Sequence, residues 1–392
     1  MQKQKPLFVV HWATRPDNSY TVQRRLGAGS YGEVFVATRR GDTSATPHQY
    51  AMKKLRGPSS SLMDVAMQGV AEDASREVRG LLAVKAGDRC QPQLACYVDH
   101  FFGSPSNTFT IITEFVSGRN MYDLMVELSD AGEVVAEAEY RRLMRSALAG
   151  LRFLHSQDVV HRDLKEDNIL VVNYGRPDSN CVIIDLGISC LNREDCNAQE
   201  RTVMLNKSPE MIEAQQSGAT LSLSRFKTSD VWAMALALHV FGSTRRAFES
   251  AEAKKQREIE DEARRYRKRA ADIDLDGERD AQKRKELAAE RARLQRRADE
   301  VRQVATNMTF RVHQDILNVQ RDLFLGSTGR GLEGSKFVRE KRIKRVTRDR
   351  LAGELLTKMF DLDWRTRMLP TVAIAIIDRE NSLSNERFVA EF

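Results

Sequence analysis

Cysteine is scarce in this chain, and long apolar runs are missing. Five cysteines in 392 residues are an odd number, spread too thinly for a disulfide framework. That points to a reducing, intracellular setting, cytoplasmic or nuclear. The longest apolar run, "VWAMALALHVF" at 231–241, falls well short of the roughly 20 residues that cross a bilayer; it reads as a buried helix. The amino-terminal "MQKQKPLFVVHWATRPD" has an apolar run too short for a secretory core and carries Pro6, His11 and Trp12. A strong charge bias is missing too. The 62 basic and 55 acidic residues leave +7, which permits acidic partners without pointing to nucleic acid. No repeat of solenoid type is visible. The expectation is a soluble protein with no membrane partner.

What is present is a globular composition with 41% hydrophobic residues, enough for two cores or for one large domain with insertions. Residues 20–40 alternate apolar and polar on both sides of a glycine-rich turn and predict a hairpin. Further strands are expected at 49–55, 96–102 and 109–115, with a helix at 69–87. After 116–118 the pattern turns helical, and 136–157 is strongly amphipathic. The stretch 181–189 begins as a buried strand and ends in a turn, and helices dominate from about 207. Between 246 and 305 charges crowd in and large apolar residues thin out, which marks an inserted charged helical segment. Ile259, Tyr266 and Ile273 recur every seven residues with Ala263 and Ala270 between; Leu287, Leu294 and Val301 repeat the pattern with Ala298. That is a thin coiled-coil seam. It predicts a helical arm over 250–303, folded back at Gly277 or continuous through it, that meets a helical partner or a second copy of the chain. The break in the arm spaces Asp272, Asp274, Asp276 and Asp280 as a calcium loop would, but with Lys283 in place of the closing glutamate. A basic stretch at 335–350, with Lys341, Arg342, Lys344, Arg345, Arg348 and Arg350, is either a docking site for acidic partners or a solvated face.

The most informative stretch is "VVHRDLKEDNILVV" at 159–172. Apolar segments bracket residues that are almost wholly charged or polar. A solvated turn tolerates any order of polar residues, whereas this order places an aspartate suited to a hydroxyl proton (Asp163), a lysine two residues on (Lys165), and an amide oxygen suited to a hard cation (Asn168). Asp185 lies at the end of a buried strand in "IIDLG", where a carboxylate has little place without a cation. In "GAGSYGEV", Gly27, Gly29 and Gly32 allow close backbone approach to phosphate oxygens. A strand rather than a helix follows, which argues against dinucleotide binding. Alternation along "YAMKKL" sets Ala51 and Lys53 on one face and Met52 and Lys54 on the other. An inward Lys53 needs a carboxylate, and Glu77 is the candidate.

Taken in order, these segments resemble the eukaryotic protein kinases, over roughly residues 20–370 apart from the insert. "GAGSYGEV" resembles the glycine-rich loop, "YAMK" the Val-Ala-Ile-Lys strand, "HRDLKEDN" the catalytic loop, "DLG" the Asp-Phe-Gly turn and "SPE" (208–210) the Ala-Pro-Glu motif. "SDVWAMALAL" is similar to the buried helix whose aspartate, here Asp230, braces the catalytic loop; Arg367 falls where an arginine pairs with Glu210. The resemblance implies an α+β, two-lobed fold with a charged helical insertion in the carboxy-terminal lobe. Its expected boundaries are an extension at 1–19, an N-lobe at 20–116, a C-lobe at 117–245, the insert at 246–305, and the remaining C-lobe and tail at 306–392. It implies ATP and Mg²⁺ as cofactors and a protein as substrate. Lys53, held by Glu77, would grip phosphates; Asn168 and Asp185 would hold Mg²⁺; Asp163 would orient the acceptor hydroxyl and Lys165 would stabilise the γ-phosphate. ATP contacts are implied for Gly27, Ala28, Gly29, Ser30, Gly32, Val34, Ala51, Thr113, Glu114 and Val116. Lys165 in this loop is typical of the serine/threonine branch, and Thr113 falls at the gatekeeper position.

Departures from the pattern are Leu186 for phenylalanine and Ser208 for alanine. The activation segment is irregular: counting back from "SPE" reaches Val203, with Thr202 beside it, where the family has threonine. That touches substrate docking and activation-loop phosphorylation, but not ATP binding. Two rival readings are a non-catalytic scaffold acting through the insert, which would need none of the five charged or amide residues above, and a small-molecule kinase, which typically lacks an Ala-Pro-Glu segment.

Overall fold

The computed structural model describes residues 10–29, 32–44, 46–56, 63–85, 90–131, 133–191, 196, 207–243, 251–273, 280–301, 350–361 and 363–390. The chain divides into two compact units, one drawn from 1–21, 37–247 and 339–392, the other from 22–36 and 248–338.

In the first unit, strands β1 (Thr14–Pro16), β4 (Gln49–Arg56), β5 (Tyr97–Ser104) and β6 (Thr108–Glu114) lie in the order β1-β5-β6-β4. β6 reads "TFTIITE", rich in β-branched and aromatic side chains that suit a pleated, half-buried surface. It pairs antiparallel with both neighbours, setting Ala51 opposite Thr113 and Lys53 opposite Ile111. β1 pairs parallel with β5, so part of the segment expected as an extension is a strand of this sheet. Helix α1 (Met63–Val84) buries Ala74, Val78 and Leu81 at helical spacing, and Met52, Ile112 and Phe101 are buried in the sheet.

The rest of this unit is mainly helical. Strands β7 (Arg119–Asn120), β8 (Ile169–Val172) and β9 (Asn180–Ile183) form a small antiparallel sheet. Helices α2 (Met121–Asp130), α3 (Glu137–Ser156), α4 (Pro209–Ser217), α5 (Leu223–Ser243), α8 (Arg350–Met359) and α9 (Pro370–Ala390) surround it. The run 231–241 lies inside α5 and is buried all round, as a central helix should be. Its Trp232 is fully buried and meets Phe360 edge to face at 5.2 Å. Pro209 stands at the start of α4, where its missing N–H costs nothing, and Glu210 sits in the first turn. This mainly β and mainly α pairing is the expected α+β two-lobed fold. No described helix is long and apolar enough to cross a membrane.

The second unit contains most of a hairpin made by β2 (Tyr20–Gly29) and β3 (Gly32–Arg39), with an Arg25–Glu33 ion pair at 2.9 Å between its strands. It also contains α6 (Ala251–Ala271) and a further helix, α7, at 281–301. Arg267 reaches Asp299 at 3.6 Å and Arg297 bonds Tyr266, so these two helices lie side by side. Ala263, Ala270, Ala298 and Val301 of the apolar seam are buried. The seam is thus used within one chain, as a folded-back arm; an intermolecular coiled coil would have to open it. Residues 274–279 of the calcium-loop pattern lie outside the described residues. Asp280 instead caps α7, accepting the Lys283 N–H at 2.8 Å. The basic stretch also lies outside them, save for the exposed Arg350.

Four of the five cysteines lie in two close pairs. Cys90 pairs with Cys96 and Cys190 with Cys196, with Cα atoms 5.5 and 5.3 Å apart, while Cys181 is free and buried. Each bridge joins residues six apart in sequence, so it clips a local segment and does not frame the fold.

Candidate active site

β4 and α1 bring Lys53 and Glu77 together across 24 residues of sequence: Lys53 Nζ donates to Glu77 Oε2 at 2.7 Å and to Asp185 Oδ1 at 2.7 Å. Burial works against the lysine's charge, but the Asp185 and Glu77 carboxylates override it and raise its pKa. For Asp185 burial pushes the pKa up; the Lys53 ammonium outweighs this and brings it to about 2. At Glu77, buried more deeply, desolvation prevails over Lys53 and its pKa is raised. One cation thus serves two carboxylates. Asp185 stays ionised at any working pH, and Glu77 depends on Lys53 for its charge.

Asp185 adopts a left-handed conformation with φ 64°, uncommon for a residue other than glycine. Its Oδ1 takes Lys53 and the Gly187 N–H at 3.3 Å, while Oδ2 makes no hydrogen bond among the described residues. The following Leu186 is buried, as expected of an apolar plug. Gly80 of α1 lies directly against this turn: a Cβ there would stand 2.6 Å from Ser189 Oγ and 3.3 Å from Leu186 Cβ. Gly80→Val should therefore force α1 off the turn, with a cost of about 1–3 kcal/mol typical of overpacking. Thermal melting checks this; an unchanged midpoint would mean that α1 has room to move.

The loop 159–168 is held from α5. Asp230, almost fully buried, accepts the His161 N–H at 2.7 Å, the Arg162 N–H at 2.9 Å and His155 Nε2 at 3.0 Å. Val160 and Cys190 exchange both backbone bonds, which closes the loop's entrance with a single bridge in place of a second strand. His161 is fully buried; its Nε2 donates to Ile184 O at 3.0 Å and its Nδ1 accepts the Asp163 N–H at 3.2 Å. Ile184 N–H donates to Asn168 O, so the loop's end is tied beside Asp185. Asp163 Oδ2 accepts Lys165 Nζ at 2.6 Å and Asn168 Nδ2 at 3.0 Å, leaving Oδ1 without a hydrogen bond among the described residues. With Nδ2 turned to Asp163, the Asn168 Oδ1 faces the other way.

Asn168 and Asp185 therefore each leave one side-chain oxygen without a hydrogen bond among the described residues. That fits Mg²⁺, which takes one or two protein ligands and completes its shell with phosphate and water. Among the described residues no cluster of three His, Cys, Asp or Glu side chains forms an all-protein metal site.

The other expected residues are placed as follows. Ala51 and Thr113 are cross-strand neighbours in β4 and β6; Glu114 ends β6, where its carboxylate bonds His48, and Val116 follows in the connecting segment. Gly27, Ala28 and Gly29 end β2, and Gly32 and Val34 begin β3, within the second unit. Ser30, Thr202 and Val203 lie outside the described residues. Arg367 meets Glu210 through two parallel bonds, Nη1–Oε1 at 2.6 Å and Nη2–Oε2 at 3.1 Å. Gly80, His155 and Ser189 escaped sequence reasoning, because only their tertiary neighbours distinguish them from ordinary helix and turn residues.

A mixed sheet and a helical lobe, with a lysine bridging two carboxylates and an Asp-Lys-Asn loop braced from α5, make up a two-lobed kinase fold. The protein kinase domain family matches residues 20–373, and the chain belongs to that family. It is similar to serine/threonine-protein kinase GRIK1 of Arabidopsis thaliana, 27% identical over 225 residues that make up 57% of this chain and 51% of the relative. It is also similar to human calcium/calmodulin-dependent protein kinase type 1B, 26% identical over 223 residues (56% of this chain, 55% of the relative). Mouse serine/threonine-protein kinase Nek11 is 27% identical over 220 residues, covering 56% of this chain and 31% of the relative. The chain thus spans about half or less of the length of these relatives.

Proposed function

We propose that this protein transfers the γ-phosphoryl group of ATP to serine and threonine hydroxyls of protein substrates. The observation that carries the reading is the convergence of Lys53, Glu77 and Asp185 on one side and Asp163, Lys165 and Asn168 on the other, with the open oxygens of both acids left free. Bound Mg²⁺ would neutralise charge on the phosphates, with Asn168 and Asp185 as its protein ligands. Lys53, held at its charge by two carboxylates, supplies a fixed cation for the phosphates. Asp163, its Oδ2 occupied, presents Oδ1 to the acceptor hydroxyl, orienting it and receiving its proton. Lys165, bonded to Asp163, lies near enough to offset negative charge on the group in flight. Ala51, Thr113, Glu114 and Val116 are the residues proposed for the base. Preference for serine and threonine rests on Lys165 in the loop and on the relatives' names.

The test is transfer from radiolabelled ATP and Mg²⁺ to a randomised peptide library containing serine, threonine and tyrosine. Label on serine and threonine peptides, lost by about 10²-fold or more in Lys53→Met, is the expected result. Label no greater than that variant's background would leave the scaffold reading in its place, and label on tyrosine alone would overturn the substrate class.

A further inference from the structure

Residues 10–19 have no part in the chemistry just described, yet they are tied down at several places. Thr14, Arg15 and Pro16 pair in parallel with Phe102, Gly103 and Ser104 of β5, and Phe102 N–H donates to Ala13 O at 3.0 Å. Arg15 forms an ion pair with Asp99 of the same strand. Asp17 takes the Ser106 N–H at 2.8 Å and its hydroxyl at 2.6 Å, in the turn between β5 and β6. Gly103 is needed there, since a Cβ would collide with Asp17 Oδ1. Ordering ten residues costs backbone entropy, so contacts this dense are required for the segment to stay in place.

A further attachment, through Trp12, joins the sheet to α1. Trp12 stands edge-on to His100 and Phe109, each with ring centroids 4.9 Å away, and its Nε1 donates to Ser75 Oγ of α1 at 3.0 Å. His100 is fixed in turn: its Nε2 donates to His11 O at 3.2 Å and its Nδ1 accepts the Tyr97 hydroxyl at 2.6 Å. Trp12 is therefore wedged between a rigid sheet and one point on α1. Ser75 is two residues before Glu77, and at about 100° per residue the two side chains leave α1 on nearly opposite faces. Glu77 faces Lys53; Ser75 faces Trp12.

We infer that Trp12 is a positioning residue for the reaction: it holds α1 from its outer face so that Glu77 stays against Lys53. The inference rests on the kinase reading, because positioning of Glu77 matters only if Lys53 serves the phosphates. Trp12 touches neither Glu77 nor Lys53 and acts through the helix alone. The amino-terminal strand is in this sense a strut from sheet to helix, present in the chain itself.

The test is a double-mutant cycle on the full chain, with hydrogen exchange as a second readout. Trp12→Ala should lower kcat about tenfold. Trp12→Phe, which keeps the ring but loses the donor, should fall between that variant and the parent. In a Glu77→Gln background, where the pair to be positioned is already broken, Trp12→Ala should cost less than about twofold. Equal losses in both backgrounds would mean general destabilisation and would overturn the inference. Exchange of α1 amides over 70–84 should accelerate about tenfold in Trp12→Ala, while β8 and β9 keep their rates. Unchanged α1 exchange overturns the inference whether or not phosphoryl transfer is detected. Absence of transfer in the parent chain, with accelerated α1 exchange in the variant, sinks the kinase reading and leaves Trp12 as the strut on α1.

Discussion

Replacing Asp163 with asparagine should reduce phosphoryl transfer by about 10²–10⁴-fold, the usual range for a lost proton acceptor, while nucleotide affinity changes little. The side chain keeps its size, so Lys165 and Asn168 retain a neighbour at 163. What changes is chemistry at Oδ1, the oxygen that no described residue claims. An amide there no longer takes a proton, and one of its two positions becomes a donor. The nucleotide side of the site is untouched, since Lys53 bonds to Glu77 and Asp185 and not to Asp163. Single-turnover transfer to a serine peptide, paired with titration of a fluorescent ATP analogue, separates the two effects. Transfer within about threefold of the parent would remove Asp163 from the mechanism; equal loss in both measurements would make its role structural.

Arg367→Ala should have the largest effect on stability, about 3–5 kcal/mol, the range for one partner removed from a buried ion pair. The Arg367 side chain has no exposed surface and Glu210 keeps only 7%. Arg367 also donates to Thr228 O at 2.8 Å and Asp361 O at 3.0 Å, and lies over Trp232 with its guanidinium carbon 5.2 Å from the ring centre. Truncation strands the Glu210 carboxylate and two carbonyls together. Chemical denaturation should show a lower midpoint with an unchanged slope. The double variant Glu210→Leu/Arg367→Met should recover much of the loss, because two apolar side chains leave no orphaned charge. A single-variant loss under about 1 kcal/mol would mean that water or a shifted side chain relieves Glu210.

The parts of this site that could be read from sequence share one property: their chemistry is written in adjacent residues. "HRDLKEDN" orders its groups within eight positions, and backbone geometry alone keeps them together. Lys53 was assignable because strand alternation fixes which side of "YAMKKL" points inward. Glu77 needed the resemblance to single it out. The pieces that stayed hidden depend on long-range contact. Trp12 meets Ser75 across 63 residues, and nothing near position 12 announces a partner on a helix. Gly80 looks like a mild defect in α1 until Leu186 and Ser189 are set against it. The cysteine count likewise says nothing of which pairs of Cα atoms lie 5–6 Å apart. The heptad seam of the insert was visible, but periodicity carries no information on whether the complementary seam belongs to the same chain.

Asp230 has a further consequence. Both of its bonds to the loop are made to main-chain N–H groups, at 161 and 162, and these are the same for almost any amino acid. The anchor is therefore blind to which side chains the loop carries there. Arg162 bears a left-handed backbone, φ 70°, which glycine would adopt with less strain. Exchanging the arginine for another residue therefore leaves both of these bonds in place. Substitutions at 161 and 162 thus act through side-chain contacts and backbone strain and leave the anchoring by Asp230 intact.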